Sequence, residues 1–353
     1  VFLRPPWPSD LPYACGGIVV AGALYLVLAL IIKLVGVKRA MRFLPPVVTG
    51  PIIICIGLSL APSAVNNVQT NWLLAIIAFA IIVIFNIWGK GMWKIIPILL
   101  GIAGAYAVAL ILHFCGITNP DGSAIFNFAE IAKASWVNVP PFEFCKFDLT
   151  AILAMAPIAI ASMMEHIGDI SAISATVGEN YVEDPGLHRT LIGDGLATSL
   201  SALVGGPANT TYGENTGVLE LSRVHDPKVI RLAAIYAVVL SFIPKFAGII
   251  STLPAAIVGG VSFILYGMIA AIGVRNVVEN QVDFTNSRNL IIAAVILVCA
   301  LGFNSVGGIT FGIGGVSVTL SGLAIAALAG ILLNAILPGN DYEFDEGSNE
   351  PES

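Results

Sequence analysis

Charge is what this sequence has least of. Only 11% of its 353 residues are Asp, Glu, Lys or Arg, against about a quarter in a soluble domain. Long apolar runs recur along nearly the whole length. Together these exclude a water-soluble globular fold and point to an all-α polytopic membrane protein, because a helix satisfies its own backbone inside lipid. The net charge is -6, but Asp341, Glu343, Asp345, Glu346 and Glu350 gather in the C-terminal tail, so the balance says nothing about nucleic acid, and no nucleic-acid partner is expected. The five cysteines (Cys15, Cys55, Cys115, Cys145, Cys299) have no C-x-x-C spacing, which suggests neither a disulfide framework nor a metal site. A nucleophile–base pair at one depth is not visible either, so no enzyme is expected. The opening "VFLRPPWPSD" has no initiator Met, basic start or apolar core, and is not a signal peptide.

What is there is a series of candidate spans, at about 12–34, 44–62, 72–88, 93–114, 149–170, 188–206, 229–252, 255–274, 288–306 and 315–337. Residues 207–222 are too polar and glycine-rich for an ordinary span. Counted as one more crossing, they put Lys33, Lys38, Arg39, Arg42, Lys90, Lys94, Arg189, Arg223, Lys228, Arg231, Arg275 and Arg288 on one side, which is 12 of the 16 Lys and Arg. By the positive-inside rule that side is cytoplasmic. The expectation is about eleven crossings in the cytoplasmic membrane, among lipid, with the C-terminus inside. Val1 then falls outside, and an odd number of spans is expected before it, so the chain is read as N-terminally truncated. The outer loop at about 115–148 is expected to carry a strand or short helix, and the tail beyond Leu337 to be disordered.

Three places carry polar chemistry at membrane depth. In "MMEHIGDISA", Glu165 and Asp169 stand at i and i+4, on one helix face. Carboxylates in a membrane helix are costly and line a cavity, share a proton or reach water at the helix end. Asp169 is open to the last of these readings. His166 points away from the pair, as a packed or interfacial histidine. The stretch "GGPANTTYGENTGVLELS" reads as a helix stop at Gly205, Gly206 and Pro207, an extended piece from Asn209 to Tyr212, a bend at Gly213, and a short helix from Asn215 to Ser222. A broken crossing points to a transporter's binding site, and its half-helix start offers free N–H groups beside Glu214; the plainer reading is a re-entrant structural loop with Glu214 as a helix N-terminal charge. Tyr266, mid-span in "GGVSFILYGMIAAIGVR", either meets a hydroxyl partner or is simply packed.

These residues resemble the nucleobase–cation symporter-2 family, also called nucleobase–ascorbate transporters, and within it the uracil permeases. The signature Gln/Glu-Asn-x-Gly-x-x-x-x-Thr-Arg is matched by Glu214-Asn215-Thr216-Gly217-Val218-Leu219-Glu220-Leu221-Ser222-Arg223, with serine for threonine. "NTTYG" and "DPGLHRTLIGDGLATSLSALVGG" look like the same branch. The resemblance implies a fold of fourteen segments in two inverted seven-segment repeats, of which about eleven are present here. It implies a core domain (residues 1–43 and 149–253), a gate domain (44–148 and 254–338), a disordered acidic tail (339–353), and a short strand within the broken segment 207–222. It implies substrate binding by Glu165, Glu214, Gly213, Tyr212 and Tyr266, and proton coupling through Asp169, Glu165 and Glu214. Asp169 stands where some uracil permeases have histidine and the purine-transporting branch often has aspartate.

The chemistry is coherent without the family. Uracil presents N–H donors and C=O acceptors around a flat ring, which two carboxylates and half-helix amides can meet. No Lys or Arg is predicted in the site, which favours a carried proton over an ion pair. The expected function is proton-coupled uptake of uracil by a secondary transporter, with the proton as coupling ion and no cofactor or metal. The alternative is a xanthine or urate symporter of the same family. An anion exchanger or channel would want a basic residue at the half-helix start, and none is visible. A homodimer is possible.

Overall fold

The computed structural model describes residues 11–140, 142–313 and 316–339. The opening decapeptide and the acidic tail lie outside the described residues. Fifteen helices and one hairpin follow in chain order among the described residues: α1 (Leu11–Val35), α2 (Val37–Met41), α3 (Pro46–Val68), α4 (Trp72–Trp88), α5 (Met92–Ile95), α6 (Pro97–Phe114), α7 (Ala129–Lys133), α8 (Leu149–Val177), α9 (Leu187–Leu203), α10 (Glu214–Ser222), α11 (Pro227–Ser241), α12 (Pro244–Ser251), α13 (Ala255–Glu279), α14 (Ser287–Ser305), β1 (Ile309–Ile313), β2 (Val316–Leu320) and α15 (Gly322–Ile336). A single π-helical turn, Val182–Gly186, leads into α9. Among the described residues, six helices are long and apolar enough to cross a membrane, or seven if the bent pair α11–α12 is one span. The chain is therefore a multi-pass helical membrane protein. The other expected crossings fall on shorter helices, α4, α9 and α15, and on the broken stretch 207–222.

Local chemistry sets the ends. Asn71, Asp148, Asp226, Asn286 and Ser321 each accept a backbone N–H in the first turn of α4, α8, α11, α14 and α15, as N-cap side chains do. Proline makes the interruptions: Pro97 splits the expected span 93–114 into α5 and α6, and Pro244 bends 229–252 by 92° between α11 and α12. The expected span 315–337 is corrected. Its first residues form β2, paired antiparallel with β1 in the register Ile309↔Leu320 to Ile313↔Val316. The run is β-branched and alternating, and Gly307 and Gly308, with φ of 85° and 91°, end α14 just before it.

The chain divides into two compact units. One comprises Val1–Ser59, Phe142–Gly213 and Ile269–Ser353, the other Leu60–Pro141 and Glu214–Met268. In the first, α1 packs against α8 and α9, and α15 against α14 and α8. Its core includes Tyr25, Ile32, Ile52, Met164, Ile167 and Leu191. Glycines let α1 and α9 touch: a β-carbon on Gly22 would stand 2.7 Å from Gly195 O, and one on Gly195 2.7 Å from Gly22 O. Small residues at such crossings replace the hydrophobic drive that lipid removes. In the second unit α4 packs on α6, over Leu74, Ala78, Ile82 and Ala105. Here Lys245, in an otherwise apolar helix, donates to Ile131 O at 3.2 Å and lies over the Trp136 ring.

Candidate functional site

The polar residues of the first unit converge on the irregular segment between α9 and α10. The stop after α9 is as expected: Gly205 has φ 89°, and Gly206 N donates back to Ser201 O at 2.8 Å. Residues 206–212 then carry no regular structure. The expected short strand is absent there, because a strand needs a ladder and no second extended segment pairs with this one among the described residues. Side chains of α8 and α9 satisfy it instead. Ser201 Oγ donates to Pro207 O at 2.8 Å, and Thr198 Oγ1 to Asn209 O at 2.9 Å.

Asp194 is the anchor of that arrangement. It lies mid-helix on α9, one residue before the glycine that admits α1, and is only 8% exposed. Its Oδ1 accepts from Asn209 Nδ2 at 2.9 Å, and its Oδ2 from Thr211 Oγ1 at 3.4 Å. His166 of α8, 3% exposed, completes the set: Nδ1 lies 2.6 Å from Thr211 Oγ1 and 3.2 Å from Asp194 Oδ2. Nε2 lies 3.0 Å from Thr190 Oγ1. With the Thr190 hydroxyl donated to Leu187 O, Nε2 is the donor to Thr190, and the single Thr211 proton serves either Nδ1 or Asp194 Oδ2. Buried polar groups held this closely favour one geometry, since losing a partner is costly.

Asp169 is buried, at 2% exposure, and α8 runs on to Val177 rather than ending near residue 170. The reading of Asp169 as a carboxylate in water at the helix end is thereby replaced by a buried one. Its carboxylate lies against Gly213: a β-carbon built there would overlap it, standing 2.9 Å from Cγ. Glycine at position 213, in the turn that leads into α10, also permits this close approach. Glu165, one turn before Asp169, is half-buried, and Tyr212 is exposed.

Glu165, Asp169, Tyr212 and Gly213 belong to the first unit; Glu214 and Tyr266 belong to the second. Glu214 opens α10, which starts one residue earlier than expected, and its side chain lies outside the described ones. Tyr266 sits half-buried on α13 and makes no hydroxyl bond among the described residues. Sequence reasoning passed over Asp194 altogether and gave His166 no role toward the broken segment. A signal for the first was present, since "LIGDGLATS" places a carboxylate inside a span.

The sequence profile of a group described as "Permease family" matches residues 7–307. The chain is 40% identical to the "Uracil permease" of Bacillus subtilis (strain 168), in an alignment that covers 95% of this chain and 78% of that protein. It is 37% identical to the "Probable uracil permease" of Haemophilus influenzae (strain Rd), over 94% of this chain and 78% of the relative. It is 34% identical to the "Uracil permease" of Escherichia coli (strain K12), over 93% and 75%.

Proposed function

The chain belongs to the permease family, and on that premise we propose that it is a secondary transporter carrying uracil with protons across the cytoplasmic membrane. The observation that carries this reading is the non-helical segment 206–213, pinned by Asp194 and His166 with its last glycine against the buried Asp169. Irregular backbone at membrane depth persists where it lines a cavity, and a broken helix there is where transporters bind substrate. Glu165 and Glu214 would accept from the N–H groups of the ring, while the free amides at the start of α10 donate to a carbonyl. Tyr212 and Gly213 would border the base, with Tyr266 on the gate side. A proton taken up with the base by Asp169, Glu165 or Glu214 would couple the two movements.

This reading carries the core (1–43, 149–253) and gate (44–148, 254–338) division with it, rocking against each other around the site, with the C-terminus in the cytoplasm and the protein free to form a homodimer. Relatives named as permeases imply transport, not catalysis. Asp169 keeps a xanthine or urate carrier as the second reading.

The test is labelled-uracil uptake by the full-length protein in a bacterium lacking its own uracil permease. Uptake should stop with a protonophore and with Glu214→Gln, and survive excess unlabelled xanthine. Uptake indifferent to protonophore and to external pH would sink the coupling. Strong competition by xanthine would make this a purine carrier.

A further inference from the structure

The face of α8 that bears Glu165 continues through Gly168 and Ala172, at i+3 and i+7. Gly168, Ser171 and Ala172 form one wall of a cavity of about 210 Å³, and the last turns of α13, with Arg275, Asn276 and Glu279, form the other. The cavity lies wholly within the first unit, on the side that the charge bias assigns to the cytoplasm.

Its chemistry is neutral and directional. Arg275 Nε and Glu279 Oε1 form a pair at 2.6 Å along the helix, so the two charges cancel at the rim and give no anion a reason to bind. Asn276 is oriented by α3: Thr49 Oγ1 donates to its Oδ1 at 3.4 Å. That turns Nδ2 toward α8, where the missing side chain of Gly168 leaves room. A β-carbon built on Gly168 would stand 3.6 Å from Nδ2, and Nδ2 donates to no acceptor among the described residues. Asn276 therefore presents an amide N–H beside a carbonyl with a lone pair to spare. That pattern complements a ring edge on which C=O neighbours N–H, as carboxamides do with nucleobases.

We propose that this cavity is a second, weaker nucleobase subsite on the release side of the transporter, and that Asn276 is the side chain that reads the base there. The inference rests on the proposed uracil transport. A base leaving Glu165 would move about one helical turn along the same face of α8 and exchange carboxylate contacts for the Asn276 amide before reaching water.

The experiment uses the full-length protein in proteoliposomes loaded with labelled uracil. It compares equilibrium binding with the rate of efflux. Asn276→Leu keeps the bulk and removes both amide contacts. Efflux should slow about five- to tenfold, the scale of one hydrogen bond, while equilibrium uracil affinity stays within about twofold of wild type. Gly168→Ala adds a methyl at the cavity wall, 3.6 Å from Asn276 Nδ2 and 2.9 Å from Ile53 Cδ1, whose flexible end must give way; it leaves Asn276 in place and should slow efflux in the same sense, and it also stands in if Asn276→Leu gives no folded protein. Wild-type efflux rates in both variants would overturn the subsite. So would an equal loss of binding and efflux in Asn276→Leu, which would place Asn276 in the main site. A wild-type protein that neither binds nor moves uracil would instead overturn the functional reading beneath it.

Discussion

His166 Nδ1 stands 2.6 Å from the Thr211 hydroxyl, so a residue inside a continuous helix grips a segment that has no helix of its own. Asp194 stands behind both, 3.2 Å from the imidazole and bonded to Asn209 and Thr211. The segment keeps its shape because side chains on two helices substitute for the backbone bonds it has given up.

The first prediction concerns that substitution. Asp194→Ala removes the acceptor of Asn209 Nδ2 and one partner of Thr211 at a single stroke. At about 1–3 kcal/mol per buried donor left unmet, initial-rate uracil uptake should fall about tenfold or more. Thr211→Val keeps the Asn209–Asp194 bond and should cost less. The comparison is made at matched membrane expression. Uptake within about twofold of wild type in Asp194→Ala would remove the anchor role.

Gly213 and Asp169 offer a second test. Gly213→Ala would push a methyl into the Asp169 carboxylate, and overpacking of this kind costs about 1–3 kcal/mol. Uracil binding should weaken accordingly. Combining it with Asp169→Ala removes the obstacle, so the double variant should lose less affinity than the sum of the two single variants. Additive losses in equilibrium binding would mean that the two residues act separately.

Packing of α1 on α9 yields a third. Gly195→Ala would bring a β-carbon 2.7 Å from Gly22 O and 2.6 Å from Tyr25 Cβ. The helices must part or the side chain must strain, at about 1–3 kcal/mol. The melting temperature of the detergent-solubilised protein should drop. Gly267→Ala, which meets nothing within 4 Å, serves as the control and should leave melting nearly unchanged. Equal melting of the two variants would refute the close crossing.

Much of this was legible before any coordinates. The span at 72–88 is α4 to the residue, because a continuous run of apolar side chains marks it. The broken stretch was legible from its glycines and proline. The hairpin at 309–320 was not, since a hydropathy window sees Ile, Phe and Val without asking whether they alternate, and apolar strands and helices look alike to it. The site was half legible. Carboxylates at i and i+4 announce a polar face, but which side chains grip the segment depends on how α1 lets α9 approach, and no spacing in the chain encodes that. His166 follows Glu165 directly and so faces another way, which is why it holds the segment's scaffold and does not share Glu165's face.

The last prediction lies at the far end of the same unit. Asn334 on α15 is completely buried. Its Nδ2 donates to Arg42 O at 3.1 Å and to Phe43 O at 3.2 Å, tying α15 to the turn after α2. Its Oδ1 and its backbone O both accept from Arg288 Nη2, at 2.9 and 2.8 Å, and Arg288 Nε reaches Leu337 O at 3.4 Å. One guanidinium thus serves the last carbonyls of α15, where a cation also meets the negative end of the helix dipole. Asn334→Leu removes the three side-chain contacts and keeps the backbone one, and should destabilise the protein by about 1–3 kcal/mol. Arg288→Lys keeps the charge without the planar fork, so it should recover only part of the stability lost in Arg288→Ala. Thermal melting in detergent decides it. If lysine restores wild-type melting, the charge alone holds this corner and the fork geometry is incidental; if it restores little, the directional bonds to Asn334 and Leu337 are what close the end of α15 on the start of α14.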